Sequence, residues 1–297
     1  MNYETATAFR RALESRLLAE SNQTGTPLVR LRKLVVFDRF LARLVYAHPG
    51  RWLLKGGLAL QLRLGAYART TQDIDVLATL PHAAVARAIT EAVTVDLGDW
   101  FTFQIRPTPG ALAGIAPEGG QRFFLSAAVD FRLFERFHVD VGVEDPVVEP
   151  PQSLSTPPLL AFAGIRPATI DCYPISQHLA EKVHAYVRPR ASGEGTRVKD
   201  LIDIVLIAIH IRLDAGALRQ ALAATFIAHG DVELPVRLPE PPSGWNAKYA
   251  RLAAEIGIEE TAVAGAFAQA SRFVNPVLTG LASGSWSPRE RRWVEME

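Results

Sequence analysis

The sequence predicts an α+β protein, with a mixed-sheet domain over residues 1–160 followed by a helical domain over residues 161–297. Three observations carry this. Between Trp52 and Val143, short apolar or alternating runs are interspersed with segments of helical period, so strands and helices share one sheet domain. Proline-rich residues 146–158 break that pattern. Beyond Ser176 the apolar residues recur almost wholly at helical spacing.

The elements follow in order. Residues 7–20 and 28–46 place apolar side chains at helical spacing with charges between them, which predicts two amphipathic helices joined by a turn over 21–26. The apolar run Trp52-Leu53-Leu54 meets Lys55-Gly56-Gly57, and residues 58–62 resume as a helix, giving a strand, a glycine turn and a helix. Asp73-Ile74-Asp75-Val76-Leu77 reads as a strand, and residues 82–93 as a helix packed on the sheet. Strands are expected over 101–105, 122–130 and 136–143, with a proline- and glycine-rich loop over 107–120. The helical domain should contain helices over 176–187, 197–211, 215–227, 244–256 and 259–273.

Composition narrows the function. Lysine plus arginine (32) nearly balance aspartate plus glutamate (31), so the chain is not a basic body that coats nucleic acid, and any polynucleotide contact must come from a local patch. The single cysteine, Cys172, excludes an internal disulfide and a cysteine-rich zinc site; it reads as a buried thiol in a reducing, cytoplasmic setting. Glu4, Arg10, Arg11 and Glu14 interrupt the first residues, which do not read as a signal peptide, and no stretch reads as membrane-spanning.

The chemistry centres on Asp73 and Asp75. Separated by one residue on a strand, they point to the same face and can reach one divalent cation. Upstream, Gly56 and Gly57 let backbone amides approach an anion such as a triphosphate, and the helix after them offers its positive end to the same anion. A third carboxylate is expected on a neighbouring strand. Asp140, between Val139 and Val141, is the candidate because an acid there is costly to bury unless paired or holding a metal; Asp130 and Asp145 read as a hairpin end and a turn acid. Such a cluster implies Mg2+ or Mn2+, hard cations suited to oxygen ligands. Thr71 would share the face of Asp73 if the strand has begun there, and a phosphate on it would add about two negative charges beside the acids. His138 alternates away from Val139 and reads as a structural strand residue. Arg63 and Arg69 suit either phosphate or a surface carboxylate, and Arg289, Arg291 and Arg292 with Trp286 and Trp293 form a basic-aromatic tail suited to RNA or simply to solvent.

Lys55-Gly56-Gly57 followed by Arg69-Thr70-Thr71-Gln72-Asp73-Ile74-Asp75 resembles the opening motifs of AbiEii/MenT-type nucleotidyltransferase toxins, within the polymerase-β-like superfamily. Leu179-Ala180-Glu181-Lys182-Val183-His184-Ala185 is similar to the family's lysine-bearing helix, and Lys199-Asp200-Leu201-Ile202-Asp203 to its second acidic helix. The resemblance implies a polymerase-β-like nucleotidyltransferase domain followed by a helical domain, and transfer from an NTP to an RNA 3′ end, typically tRNA, by a toxin with a cognate antitoxin. It implies catalytic roles for Asp73, Asp75, Lys182 and Asp200, metal binding by Asp73, Asp75 and Asp140, and nucleotide binding by Lys55, Gly56, Gly57, Arg69, Thr71 and Lys182. Asp200 and Asp203, one helical turn apart, can share a face; one may orient Lys182 or a metal-bound water, and helix-dipole placement explains Asp203 nearly as well. Two alternatives stay open: the same site could modify a protein hydroxyl or a small molecule, or the fold could be a non-catalytic module that binds antitoxin or RNA.

Overall fold

The computed structural model describes residues 2–106, 114–115, 120–189 and 197–295, so the loop expected over 107–120 lies mostly outside the described residues. The chain divides into two compact units. The first comprises Met1–Arg63, Thr70–Glu144 and Gln152–Cys172; the second comprises Leu64–Arg69, Asp145–Pro151 and Tyr173–Glu297.

The first unit runs α1 (Ala6–Thr24), α2 (Leu28–Ala47), β1 (Trp52–Lys55), α3 (Gly56–Leu64), β2 (Ile74–Ala78), α4 (His82–Thr94), β3 (Phe101–Arg106), β4 (Gly114–Ile115), β5 (Gln121–Val129), β6 (Arg132–Val143), β7 (Gln152–Ser155) and β8 (Thr169–Cys172). Its sheet has the order β3-β5-β6-β2-β1-β8-β7, with β4 also on β5. The sheet is mixed: β2 lies parallel to β6 and β1 parallel to β8, while β1–β2, β3–β5, β5–β6 and β7–β8 are antiparallel. Phe123, Leu125, Ala127 and Val129 of β5 and Phe137, Val139 and Val141 of β6 alternate into a core shared with α1, α2 and α4. Among the described residues, no helix is long and apolar enough to cross a membrane.

Helix α2 is more than an amphipathic helix with charges on a wet face. Asp38, Arg39 and Arg43 are all buried. Arg43 forks onto Asp99 at 2.7 and 2.9 Å and also donates to the carbonyls of Arg39, Val95 and Phe101, so its donors are satisfied although the side chain is fully enclosed. Arg39 pairs with Asp38 and donates to the Arg166 carbonyl at 2.7 Å, while Asp38 accepts from the Ala168 amide at 2.7 Å and from the Thr156 hydroxyl. The helix is thereby pinned to the start of β3 and to the segment joining β7 and β8.

Strands β7 and β8 are additions to the expected fold. The short Gln152–Ser155 strand sits inside the proline-rich stretch read from sequence only as a break in composition. Prolines can flank it because it ends the sheet and needs ladder hydrogen bonds on one side only.

The second unit holds α5 (Ile175–Val187), α6 (Val198–His210), β9 (Leu213–Asp214), α7 (Ala215–His229), α8 (Asn246–Ile256), α9 (Val263–Leu278), β10 (Ser285–Ser287) and β11 (Arg292–Val294). It is helical apart from a three-stranded sheet of order β11-β10-β9, which corrects the almost wholly helical reading. The basic-aromatic tail is corrected with it. Trp286 is 2% exposed and donates to the Ala208 carbonyl at 2.7 Å, and Trp293 stacks on Phe273 and donates to its carbonyl at 2.9 Å. Trp286 is core and Trp293 half-buried, while Arg289, Glu290, Arg291 and Arg292 between them are exposed.

Removing Asp99 strands Arg43 as an uncompensated buried charge, so Asp99→Ala should lose about 3–5 kcal/mol of stability in urea denaturation. A loss below about 1 kcal/mol, the range of an exposed ion pair, would show that water reaches this pair.

Candidate active site

Strand register builds the first half of the site. Asp75 on β2 lies opposite Asp140 on β6, and Lys55 on β1 lies opposite Asp75. Arg122 on β5 lies opposite Asp140. Residues directly opposite one another share a sheet face, so the row across four strands reads Arg122, Asp140, Asp75, Lys55. Arg122 forks onto Asp140 with contacts of 2.6 and 2.5 Å, and this hydrogen bonding raises the Arg122 pKa.

Asp73 sits just before β2, so the strand has not yet begun at Thr71. The two residues still meet: the buried Thr71 hydroxyl donates to Asp73 Oδ1 at 2.8 Å. His138 Nε2 stands 3.2 Å from Asp73 Oδ2 and 3.9 Å from Asp140 Oδ2. Sequence reasoning set His138 aside as structural; the signal that could have found it is its spacing from Asp140, which puts both on one face of β6.

Gly56 opens α3 with a φ of +64°, and a Cβ built on it would fall 1.9 Å from Asp75 Oδ2. Glycine is required there twice over, for the left-handed backbone and for the space that Asp75 occupies. Gly57 follows, buried in the first turn. Arg63, at the other end of α3, turns toward the Gln152 side chain and the Ala59 carbonyl, each at 3.4 Å. Cys172 is buried, and burial pushes its thiol up to about 12.

Asp73 and Asp75 supply the oxygen donors a hard cation takes, on a face that Gly56 keeps clear of side-chain atoms. Both oxygens of Asp140 accept from Arg122, so part of its acceptor capacity is already engaged. Consistent with this, no group of three or more histidine, cysteine or acidic side chains among the described residues is arranged to hold a metal.

The second unit carries the other cluster. Lys182 on α5 lies 3.2 Å from Asp200 and 3.0 Å from Asp203, both on α6. Arg69 forks onto Asp203 with two contacts of 2.9 Å, and Arg197 reaches Asp200 at 3.4 Å. Asp203 is fully enclosed while Asp200 is 8% exposed, so the deeper of the two acids is Asp203. Burial pushes the Asp203 carboxyl up, but the Arg69 and Lys182 charges outweigh it and hold the group well below the usual carboxylate range. Burial likewise opposes the Lys182 ammonium, and Asp203 with Asp200 outweighs it in the other direction.

The model of the nucleotidyl transferase AbiEii toxin family, Type IV TA system, matches residues 39–272, and the chain belongs to that family. Among solved structures, the chain is similar to MenT4, a nucleotidyltransferase toxin from Mycobacterium tuberculosis H37Rv, at 18% identity and a TM-score of 0.55, covering 87% of this chain and 86% of that one. It also matches JHP933 from Helicobacter pylori at 14% identity and a TM-score of 0.42, over 84% and 94% of the two chains. No curated protein sequence matches.

Two outcomes follow from this geometry. Gly56→Ala should lower the melting temperature by roughly 2–8 °C, the equivalent of about 1–2 kcal/mol of backbone strain, and should displace Asp75 so that activity falls as in Asp75→Asn. Unchanged activity would mean that Asp75 can move without consequence. The second concerns pH. The depressed Asp203 pKa contributes stability above the unfolded carboxylate value of about 3.9, lost as pH falls through the folded value; the raised Lys182 pKa contributes below about 10.4, lost as pH rises through its folded value. Asp203→Asn should therefore destabilise the protein by about 3–5 kcal/mol at pH 7 and show a shallower loss of stability below about pH 4. Urea midpoints at both pH values test this, and a mutant that loses stability in acid as steeply as its parent would remove Asp203 as a source of acid sensitivity.

Proposed function

We propose that this chain is a toxin that transfers nucleotides from an NTP to an RNA 3′ end, with the tRNA acceptor stem as target and a block of translation as the result. The observation that carries it is the in-register pair Asp75 and Asp140 beside Asp73, next to the bare glycine turn at Gly56. The family to which the chain belongs, and its similarity to the nucleotidyltransferase toxin MenT4, support the toxin reading.

In this reading the terminal ribose oxygen attacks the α-phosphorus of the NTP and pyrophosphate departs. A divalent cation such as Mg2+ or Mn2+, when bound, supplies Lewis-acid activation of that hydroxyl and neutralises charge on the triphosphate. Asp73 and Asp75 would hold the cation, with Asp140, paired to Arg122, as the candidate third ligand. The amides of Gly56 and Gly57, at the positive end of α3, bind phosphate oxygens, with Lys55 adding charge and Thr71 keeping Asp73 oriented. Lys182 meets the triphosphate as a point charge, oriented by Asp200 and Asp203; Arg69 contributes by holding Asp203. A cognate antitoxin would silence the enzyme.

Incubation with labelled NTPs, Mg2+ or Mn2+ and purified tRNA should label the tRNA, and oxidising its terminal ribose should stop labelling. Asp73→Asn and Asp75→Asn should each abolish transfer while leaving the circular dichroism spectrum unchanged, because charge and not core volume is removed. Label that appears only on protein or a small molecule would overturn the RNA assignment and leave the nucleotidyltransferase one standing.

A further inference from the structure

The first unit has one sheet face that its own core does not use. Along β5, and on β6 from Arg136 onward, the odd-numbered residues fill the core, so the even-numbered ones stand on the opposite face together with the acids of the site; the register shift opposite Ala127 and Ala128 interrupts this parity on β6, and Phe134 there is core. Register arranges them in rows. Beside the row of Arg122, Asp140 and Asp75 lies a second in which Arg106 of β3, Phe124 of β5 and His138 of β6 are mutual neighbours. A third places Gln104, Ser126 and Arg136 side by side. Gln104, Arg106 and Arg136 are exposed, and Phe124 is half-buried with its ring 6.1 Å from that of His138. Among the described residues, Asp140 is the sole acid on this face of β3, β5 and β6, and Arg122 neutralises it. Glu135 lies off the face, paired with Lys33 of α2.

We propose that this face is the bed for the acceptor strand, with Phe124 stacking under a base and Arg106 and Arg136 contacting phosphates; the proposal rests on the RNA reading above. A cationic sheet surface with a half-buried aromatic ring among polar side chains is the chemistry that holds unpaired nucleotides, since every base has a π-face and every linkage a negative charge. The surface is continuous with the metal acids. From β2 to β3 is three strand spacings, about 14–15 Å, enough for a few nucleotides running back from a 3′ end placed at Asp73 and Asp75. The almost balanced charge of the whole chain, 32 basic against 31 acidic residues, leaves such binding to a local surface.

The test uses the full chain carrying Asp75→Asn to stop turnover, titrated with fluorescein-labelled single-stranded RNA across a salt series without nucleotide. Phe124→Leu should weaken binding by about tenfold with the salt slope unchanged, because a stacking surface is lost and no charge. Arg106→Gln with Arg136→Gln should lower the slope of log affinity against log salt by about 1.4, close to 0.7 for each phosphate contact. Arg87→Gln, on the exposed side of α4, should change neither. If both face variants bind RNA like their parent while the Asp75-containing enzyme still labels RNA, this face is overturned as the acceptor bed and the RNA reading stands. If Phe124→Leu in the active enzyme raises KM for the NTP alone, Phe124 stacks on the incoming nucleotide and the proposal is likewise overturned. If the parent neither binds nor labels any RNA, the RNA reading itself fails.

Discussion

Asp75 and Asp140 stand side by side because β2 and β6 pair in parallel, and like charges directly opposite one another on adjacent strands repel. The sheet answers by extending the same row outward, so that Arg122 flanks one acid and Lys55 the other. Much else at this end of the unit follows from that row. Gly56 must lack a side chain because Asp75 occupies the volume where a Cβ would be. Arg122 orients Asp140 through a fork that bonds both of its oxygens.

The row is only as precise as the sheet beneath it, and α2 fixes that sheet from behind. A helix held by apolar packing alone can slide by small rearrangements of soft contacts. One whose Asp38, Arg39 and Arg43 are buried and directionally bonded to the start of β3 and to the β7–β8 segment cannot shift without stranding a charge in the core. Buried ion pairs of this kind contribute little net stability over an apolar core of the same shape. What they add here is register.

Helical periodicity made α1, α2, α4 and the helices of the second unit legible, since a face of recurring apolar residues is a local property. Asp140 could be singled out in the same way, as an acid flanked by valines in an alternating run. Three kinds of feature were not local and did not show. Arg122 and His138 became site residues only once β5–β6 pairing and strand parity placed them beside Asp140 and Asp73. Strands β7 and β8 are short pieces whose identity comes from the strand they join, and proline-rich composition around β7 pointed the other way. Trp286 and Trp293 read as part of a tail suited to RNA or to solvent because nothing in the sequence announces that β9, β10 and β11 meet and fold both rings onto Phe273. The second acid of α6 left two readings open for a related reason. Helix-dipole placement accounts for an exposed Asp203, whereas the enclosed one is explained by Arg69, which lies 134 residues away in sequence.

The cluster around Lys182 also constrains what that lysine can do. An ammonium between two carboxylates is kept protonated across the whole range in which proteins function, because losing its proton would leave Asp203 enclosed with less compensation. Lys182 is thus a fixed cation and a poor proton carrier. A group of that kind suits a polyanion whose charge must be met at every pH, and does not suit the deprotonation of an attacking hydroxyl. Asp203 in turn is held by Arg69 through a planar fork, which fixes the carboxylate and with it the position from which Lys182 presents its remaining donors.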